Sequence, residues 1–153
     1  MEVLLMLIQI NCPFTGETIP LEKVNDPMFA NKILGDGIGI IPRENQVFSP
    51  VEGIVTMIYE TKHAIGLKDN YGNEYLLHLG IDTVELEGKP FKVYVSVGDE
   101  VTCETKLVIC DWKYIKKNGY DITSALINVN KKEVTEKKFG YKKKEDPIFK
   151  IKF

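Results

Sequence analysis

The chain has 153 residues, 44% of them hydrophobic and 27% charged, the balance of a water-soluble globular protein. A chain of that length hides about 70% of its unfolded surface, so one core spanning residues 1–153 is expected. Twenty Lys and Arg stand against 22 Asp and Glu, and the net charge of −2 argues against a protein built to hold the phosphate backbone of nucleic acid.

The chain opens on an apolar run from Met1 to Ile10 that carries Glu2, has no basic flank or small-residue cleavage site, and falls short of the roughly 18 apolar residues of a membrane span. A buried first strand is the expectation, with no insertion into a membrane. Cys12 is the first of three cysteines, followed by Cys103 and Cys110. Their odd number and the lack of a C-x-x-C spacing speak against a disulfide framework or a zinc knuckle and fit a reducing, cytoplasmic setting. Pro13-Phe14-Thr15-Gly16 is echoed at Pro50-Val51-Glu52-Gly53, which reads either as two related β halves or as shared turn chemistry. Residues 26–34 predict a helix, with Asp26 as N-cap, Pro27 at the first helical position and Gly35 as the C-terminal glycine.

Short apolar or alternating runs then predict strands at 37–41, 54–59, 64–67, 74–78, 91–95, 106–110, 125–129 and 148–151, separated by turn clusters such as Asn70-Tyr71-Gly72-Asn73 and Gly88-Lys89-Pro90. A second short helix is expected over 112–118. So many short strands point to an all-β fold, a sandwich or a barrel-like domain with short helical segments. Residues 131–153 carry a charge of +5 and residues 1–130 one of −7, so the acidic body suits a positive partner. The Lys-rich end closes on Phe149, Ile151 and Phe153 alternating with lysines, which favours a last strand over a disordered tail.

The sequence holds two histidines, His63 and His78. They lie fifteen residues apart around the predicted turn at 70–73, the arrangement of a hairpin that brings two strand residues together. Imidazoles on one face of strands about 4.8 Å apart can reach the same substituent. Two neutral imidazoles can then divide the labour, one attacking with a lone pair and the other donating an N–H to the transferred group. An apolar rim helps to keep both neutral. For each histidine alone, a packed or surface role competes with this reading.

The text around the histidines narrows the choice. Gly35-Asp36-Gly37-Ile38-Gly39-Ile40-Ile41-Pro42, Ser49-Pro50-Val51-Glu52-Gly53, Thr61-Lys62-His63-Ala64 and Leu77-His78-Leu79-Gly80-Ile81-Asp82-Thr83-Val84 follow one another, then Gly88-Lys89-Pro90-Phe91 and Gly98-Asp99-Glu100-Val101. From about Cys12 to Phe153 the sequence resembles the glucose-type enzyme IIA domain of the bacterial phosphoenolpyruvate:sugar phosphotransferase system. The resemblance implies a compact antiparallel β-sandwich that takes a phosphoryl group from the phosphocarrier HPr and passes it to a cysteine of the enzyme IIB domain of a sugar permease. It implies His78 as phosphoacceptor, His63 as the imidazole that supports the phosphoryl group and Thr61 as its hydrogen-bond relay, with no cofactor and no metal. Asp26 and Asp82 match acidic positions that face HPr. Phe29, Ile33, Leu34, Tyr59, Leu76 and Val84 match an apolar docking surface; core packing competes for each and is the stronger expectation for Ile33 and Val84.

The chain departs from the family pattern at Cys103-Glu104-Thr105, where a Gly is usual, at Ser124-Ala125, where Thr-Pro is usual, and at Val129, where Thr precedes the retained Asn130. Three other functions compete. A regulatory module of the same fold would act on metabolic proteins or transporters. A zinc hydrolase on a related scaffold would need His-x-x-x-Asp and His-x-His, but Leu67 and Gly80 occupy those places. A lipoyl carrier would need an acidic residue before Lys62, where Thr61 stands.

Overall fold

The strand Glu74–His78 sends its side chains to two different apolar clusters. Tyr75 and Leu77 enter the larger one and Leu76 the smaller, as the two-residue alternation of a strand requires. The computed structural model describes residues 6–152. Its elements in chain order are β1 (Leu7–Asn11), β2 (Gly16–Pro20), α1 (Pro27–Ala30), β3 (Asp36–Pro42), β4 (Gln46–Phe48), β5 (Gly53–Ile58), β6 (Ala64–Asp69), β7 (Glu74–His78), β8 (Phe91–Val93), β9 (Glu100–Val101), β10 (Lys106–Cys110), α2 (Trp112–Lys117), β11 (Ser124–Asn128), β12 (Glu133–Thr135), β13 (Gly140–Lys142) and β14 (Pro147–Lys152).

The strands form an antiparallel β-sandwich. One sheet has eight strands in the order β13-β2-β3-β11-β7-β6-β5-β9; the others have three each, β4-β10-β8 and β1-β14-β12. The larger cluster draws Ile38, Ile65, Leu77 and Leu126 from the eight-stranded sheet, Val108 from β10, and Ile10 and Phe149 from β1 and β14. Burying such side chains contributes about 1.5–3 kcal/mol each before the entropy of ordering them is set against it. The smaller cluster uses the alternate residues of the same strands, Ala64, Leu76, Ala125 and Ile127, and is covered by Leu21, Val24 and Phe29. Gly39 of β3 leaves the room that this cover needs, because a Cβ there would stand 2.7 Å from the Val24 Cγ2 methyl. The middle of the sheet is therefore covered on both faces, and β11 is buried along its whole length.

Every strand expected from the sequence is present, and β7 and β10 have the expected bounds. β2, β4, β9, β12 and β13 were not expected; all are five residues or fewer, and the alternation they offer is too short or too polar to read. Of the expected strand at residues 1–10, β1 covers Leu7–Asn11, with Ile10 buried and Leu7 exposed, while residues 1–5 lie outside the described residues. At the other end β14 pairs Phe149 with Ile10 and Ile151 with Ile8; Phe153 lies outside the described residues. The Pro-x-x-Gly echo has a structural counterpart. Gly16 and Gly53 open β2 and β5, second from either end of the eight-stranded sheet. A Cβ at either would run into a carbonyl of the neighbouring strand, Ile41 O or Lys68 O. The two segments also cross-bond: Phe48 N donates to Pro13 O at 2.8 Å and Asn11 N to Pro50 O at 3.1 Å.

The first helix is shorter than expected. Asp26 caps α1 by accepting from Met28 N at 2.9 Å and Pro27 takes the first position, but the helix ends at Ala30, not Leu34. Lys32, with φ 55°, takes the left-handed position assigned to Gly35. Lys32 N donates to Phe29 O and Ile33 N to Met28 O, the pair of bonds that closes a helix around a left-handed residue. The Lys32 side chain reaches Glu22 (3.1 Å) and Asp36 (3.7 Å) in exposed ion pairs, which offset part of the cost of a non-glycine residue there. Gly35 instead runs beside the Asn128 carbonyl. The second helix is capped by Asp111 through Tyr114 N and closed at Gly119. Among the described residues no helix is long and apolar enough to cross a membrane.

Candidate functional site

The hairpin of β6 and β7 brings the two imidazoles together, their ring centroids 5.0 Å apart and the rings edge to face at 76°. His78 ends β7 and belongs to the same side of the sheet as Leu76, the side covered by residues 21–30. Phe29 of that cover packs edge-on to the His78 ring at 4.9 Å. His63 sits one residue before β6, behind a turn closed by Lys62 N on Tyr59 O at 2.8 Å, in which Lys62 takes φ 62°. The Tyr59 ring stands edge-on to His63 at 5.1 Å.

Hydrogen bonds fix how each ring is used. His78 Nδ1 lies 2.8 Å from the Gly80 carbonyl oxygen, which can only accept, so Nδ1 carries the proton. In the neutral ring the lone pair is then on Nε2. His63 Nδ1 lies 2.7 Å from the Thr61 hydroxyl, and the His63 carbonyl accepts from Leu79 N at 2.8 Å, tying the two histidine segments together. Burial, helped by the neighbouring His78, pushes the His63 pKa down to about 4. Burial also lowers that of His78, opposed by the Gly80 carbonyl and by the charges of Asp26 and Asp82. Both rings are therefore neutral at pH 7, one presenting a lone pair beside the other.

The surroundings divide into buried support and exposed rim. Phe29 and Leu76 are buried, at 2% and 8% exposure, whereas Ile33 (59%) and Val84 (45%) are open to solvent. The expectation that core packing would claim Ile33 and Val84 first is thus corrected. Ile33 follows the left-handed Lys32, beyond the end of the helix, and Val84 lies on a 3-10 turn at Thr83–Leu86 that buries Thr83 and Leu86 instead. Leu34 and Tyr59 are exposed too, and with Ile33, Leu76, Met57 and Val129 they line an open, mainly apolar groove next to the histidines. Asp82, exposed and at φ 58°, and half-buried Asp26 are the carboxylates whose charge reaches His78.

Two residues outside the histidine motifs, Ser124 and Asp121, and one within the His78 motif, Thr83, hold the main chain of the site. Ser124 Oγ accepts from Gly80 N at 3.1 Å, Asp121 O accepts from Ile81 N at 2.9 Å, and Thr83 Oγ1 donates to Leu79 O at 2.6 Å. In the sequence Ser124 is visible only as a departure from a motif. Asn130, retained after the departure at Val129, accepts from Glu74 N and Asn128 Nδ2 and so ties β7 to the end of β11. Cys103-Glu104-Thr105 closes its turn without the usual Gly, through Thr105 Oγ1 accepting from Thr102 N at 2.9 Å. Among the described residues no three His, Cys, Asp or Glu side chains stand close enough to hold a metal ion.

A family model described as the phosphoenolpyruvate-dependent sugar phosphotransferase system, EIIA 1, matches residues 8–134. The chain belongs to this EIIA family. Both histidines lie within the matched segment. The glucose-specific EIIA component of Staphylococcus epidermidis is 46% identical over 123 residues, 80% of this chain and 74% of that protein, and that of Staphylococcus aureus matches to the same extent. The glucose permease IIA of Mycoplasma capricolum superposes with a TM-score of 0.91 at 35% identity, over 98% of this EIIA chain and 99% of that one. Family membership carries a general phosphotransferase role and displaces the zinc-hydrolase and lipoyl-carrier readings.

Proposed function

We propose that residues 1–153 act as one phosphotransfer unit that takes a phosphoryl group on His78 from phospho-HPr and gives it to a cysteine of an enzyme IIB domain. The observation that carries this is the His78 ring, pinned through Nδ1 to Gly80 O and set 5.0 Å from a second neutral imidazole. In the first transfer the Nε2 lone pair attacks phosphorus, a P–N bond forms, and the donor's P–N bond breaks with its electron pair returning to the donor imidazole. In the second, a cysteine thiolate attacks the same phosphorus and the P–Nε2 bond breaks with its electron pair returning to His78.

Neither transfer needs a metal if protein groups carry the phosphoryl charge. When the Thr61 hydroxyl donates to His63 Nδ1, the proton of His63 sits on Nε2, available to a phosphoryl oxygen. Asp26 and Asp82 then serve twice. Their charge suits the basic face of a donor, and it disfavours a dianion held on His78, which assists onward transfer. Ile33, Leu34, Tyr59 and Val84 supply the apolar contact on which Phe29 and Leu76 act from beneath. The names of the relatives support glucose as the sugar served. The reading favours a protein that meets its partners in water inside the cell, a setting that also suits three free thiols.

The test is transfer of labelled phosphate from phosphoenolpyruvate through enzyme I and HPr. Label on the wild-type chain and none on His78→Ala is expected, while equal labelling of both would overturn the assignment.

A further inference from the structure

Gly80 is held on both of its peptide groups by one segment of chain. On its N-terminal side, Gly80 N donates to Ser124 Oγ at 3.1 Å. On its C-terminal side, Ile81 N donates to Asp121 O at 2.9 Å, while the carbonyl of that same peptide faces His78 Nδ1 at 2.8 Å. Ser124 is wholly buried, and its hydroxyl is used as both acceptor and donor, since Oγ also donates to Ile122 O at 3.1 Å. The next residue, Ala125, pairs across the β11–β7 ladder with His78 itself. Gly80 has φ 79° and no room for a side chain, as a Cβ there would stand 2.5 Å from Thr83 Cγ2. Its carbonyl therefore points where its two peptide neighbours hold it.

We infer that Ser124 is a positioning residue for the phosphoacceptor: by fixing the Gly80 N–H it aims the Gly80 carbonyl at His78 Nδ1, and so keeps the lone pair of His78 on Nε2. The inference rests on the proposed role of His78 only for its kinetic consequence; the effect on the tautomer stands independently. Without the hydroxyl, a buried N–H loses its acceptor, and the Gly80 carbonyl is left aimed by the Ile81 N–Asp121 O bond alone. With one of its two anchors gone the carbonyl loosens, its hold on Nδ1 weakens, and part of the His78 population moves its proton to Nε2, where it blocks attack. A histidine held in the wrong tautomer loses its chemistry while the fold persists.

The experiment compares wild type, Ser124→Ala and Ser124→Thr, with Ser124→Cys as a volume-matched substitute if the alanine variant does not fold. Imidazole nitrogen shifts at pH 7.5 report the His78 tautomer, and initial rates of phosphorylation by phospho-HPr report the consequence. Wild type and Ser124→Thr are expected to keep His78 as the Nδ1–H form. Ser124→Ala is expected to show a mixture and to slow phosphorylation several-fold at saturating donor, in proportion to the Nδ1–H fraction that remains, with the KM for the donor unchanged. A purely structural serine would lower the unfolding midpoint and leave the tautomer alone. An unchanged tautomer in Ser124→Ala, or in Ser124→Cys, overturns the inference. If label never reaches His78 in the wild type, the proposed function fails instead, and the nitrogen shifts still decide the role of Ser124.

Discussion

His63 meets His78 from outside the β-ladder: the residue paired with His78 across the hairpin is Ala64, and His63 lies one position before the strand begins. Strict alternation would send neighbours 63 and 64 to opposite faces. The turn at residues 59–62, with Lys62 at φ 62°, releases His63 from that alternation and lets its ring stand edge-on to His78. The relative placement of the two imidazoles is therefore set by a turn and its hydrogen bonds, and the predictions below follow from disturbing them one at a time.

In the proposed relay His63 supports the phosphoryl group but does not carry it. His63→Ala is expected to remain phosphorylated on His78 by phospho-HPr while its transfer to the IIB domain slows on the order of 100-fold, the usual cost of losing one donor to a developing charge. Rapid-quench measurement of label leaving the pre-phosphorylated variant checks this; onward transfer at the wild-type rate would count against it.

Thr61 acts only through His63, so Thr61→Val should reproduce that defect in milder form, about tenfold, by freeing His63 to exchange tautomers. Thr61→Ser, which keeps the hydroxyl, should restore transfer. The same kinetic assay with both variants separates loss of the hydroxyl from loss of the methyl.

The depressed pKa of His63 makes stability depend on pH. Its ring is neutral when folded down to about 4 but takes a proton near 6.5 when unfolded, so the unfolded state binds more protons between those values. The stabilisation is complete above pH 6.5 and is lost as pH falls toward 4, by up to about 3 kcal/mol, with His78 shifting the balance in the same direction. Urea unfolding at pH 7.5 and 4.5 should show the wild type losing more than His63→Gln. Parallel losses would contradict the buried neutral ring.

Charge and cap can be separated at Asp26. Asp26→Asn keeps an oxygen for Met28 N, so stability should change by only a few tenths of a kcal/mol. Removing the charge should raise the KM for phospho-HPr several-fold and weaken its dependence on salt, as Asp82→Asn should also do. Progress curves at 50 and 300 mM salt, about a twofold change in screening length, test this.

The rim and its support should respond oppositely to substitution. Ile33→Ser, at an exposed position, should leave stability within about 0.5 kcal/mol and weaken partner docking. Phe29→Ala should cost about 3–5 kcal/mol, because it opens a cavity under His78. Thermal melts paired with titration by the IIB domain distinguish the two.

How much of this could be read from the residues depends on how locally each feature is encoded. The apolar runs at Glu74–His78 and Lys106–Cys110 and the cap at Asp26 involve neighbours in sequence, and the fold class followed from the number of such short runs. β9 and β13 are two and three residues long, and at the ends of the sheet they gain their structure from a partner strand rather than from their own pattern. The early end of α1 is not legible because a lysine, Lys32, adopts a glycine-like conformation closed by main-chain bonds to Phe29 O and Met28 O. The exposure of Ile33 and Val84 follows from that ending and from the 3-10 turn. The link from Ser124 to Gly80 spans 44 positions and leaves no periodicity to find.

The central claim is that His78 receives the phosphoryl group on Nε2 because Nδ1 is committed to the Gly80 carbonyl. Phosphorus and nitrogen NMR of the phosphorylated, nitrogen-15-labelled chain tests it directly. A single phosphohistidine with the phosphorus coupled to Nε2 of His78 is the predicted result; phosphorus on Nδ1, or on His63, would contradict it.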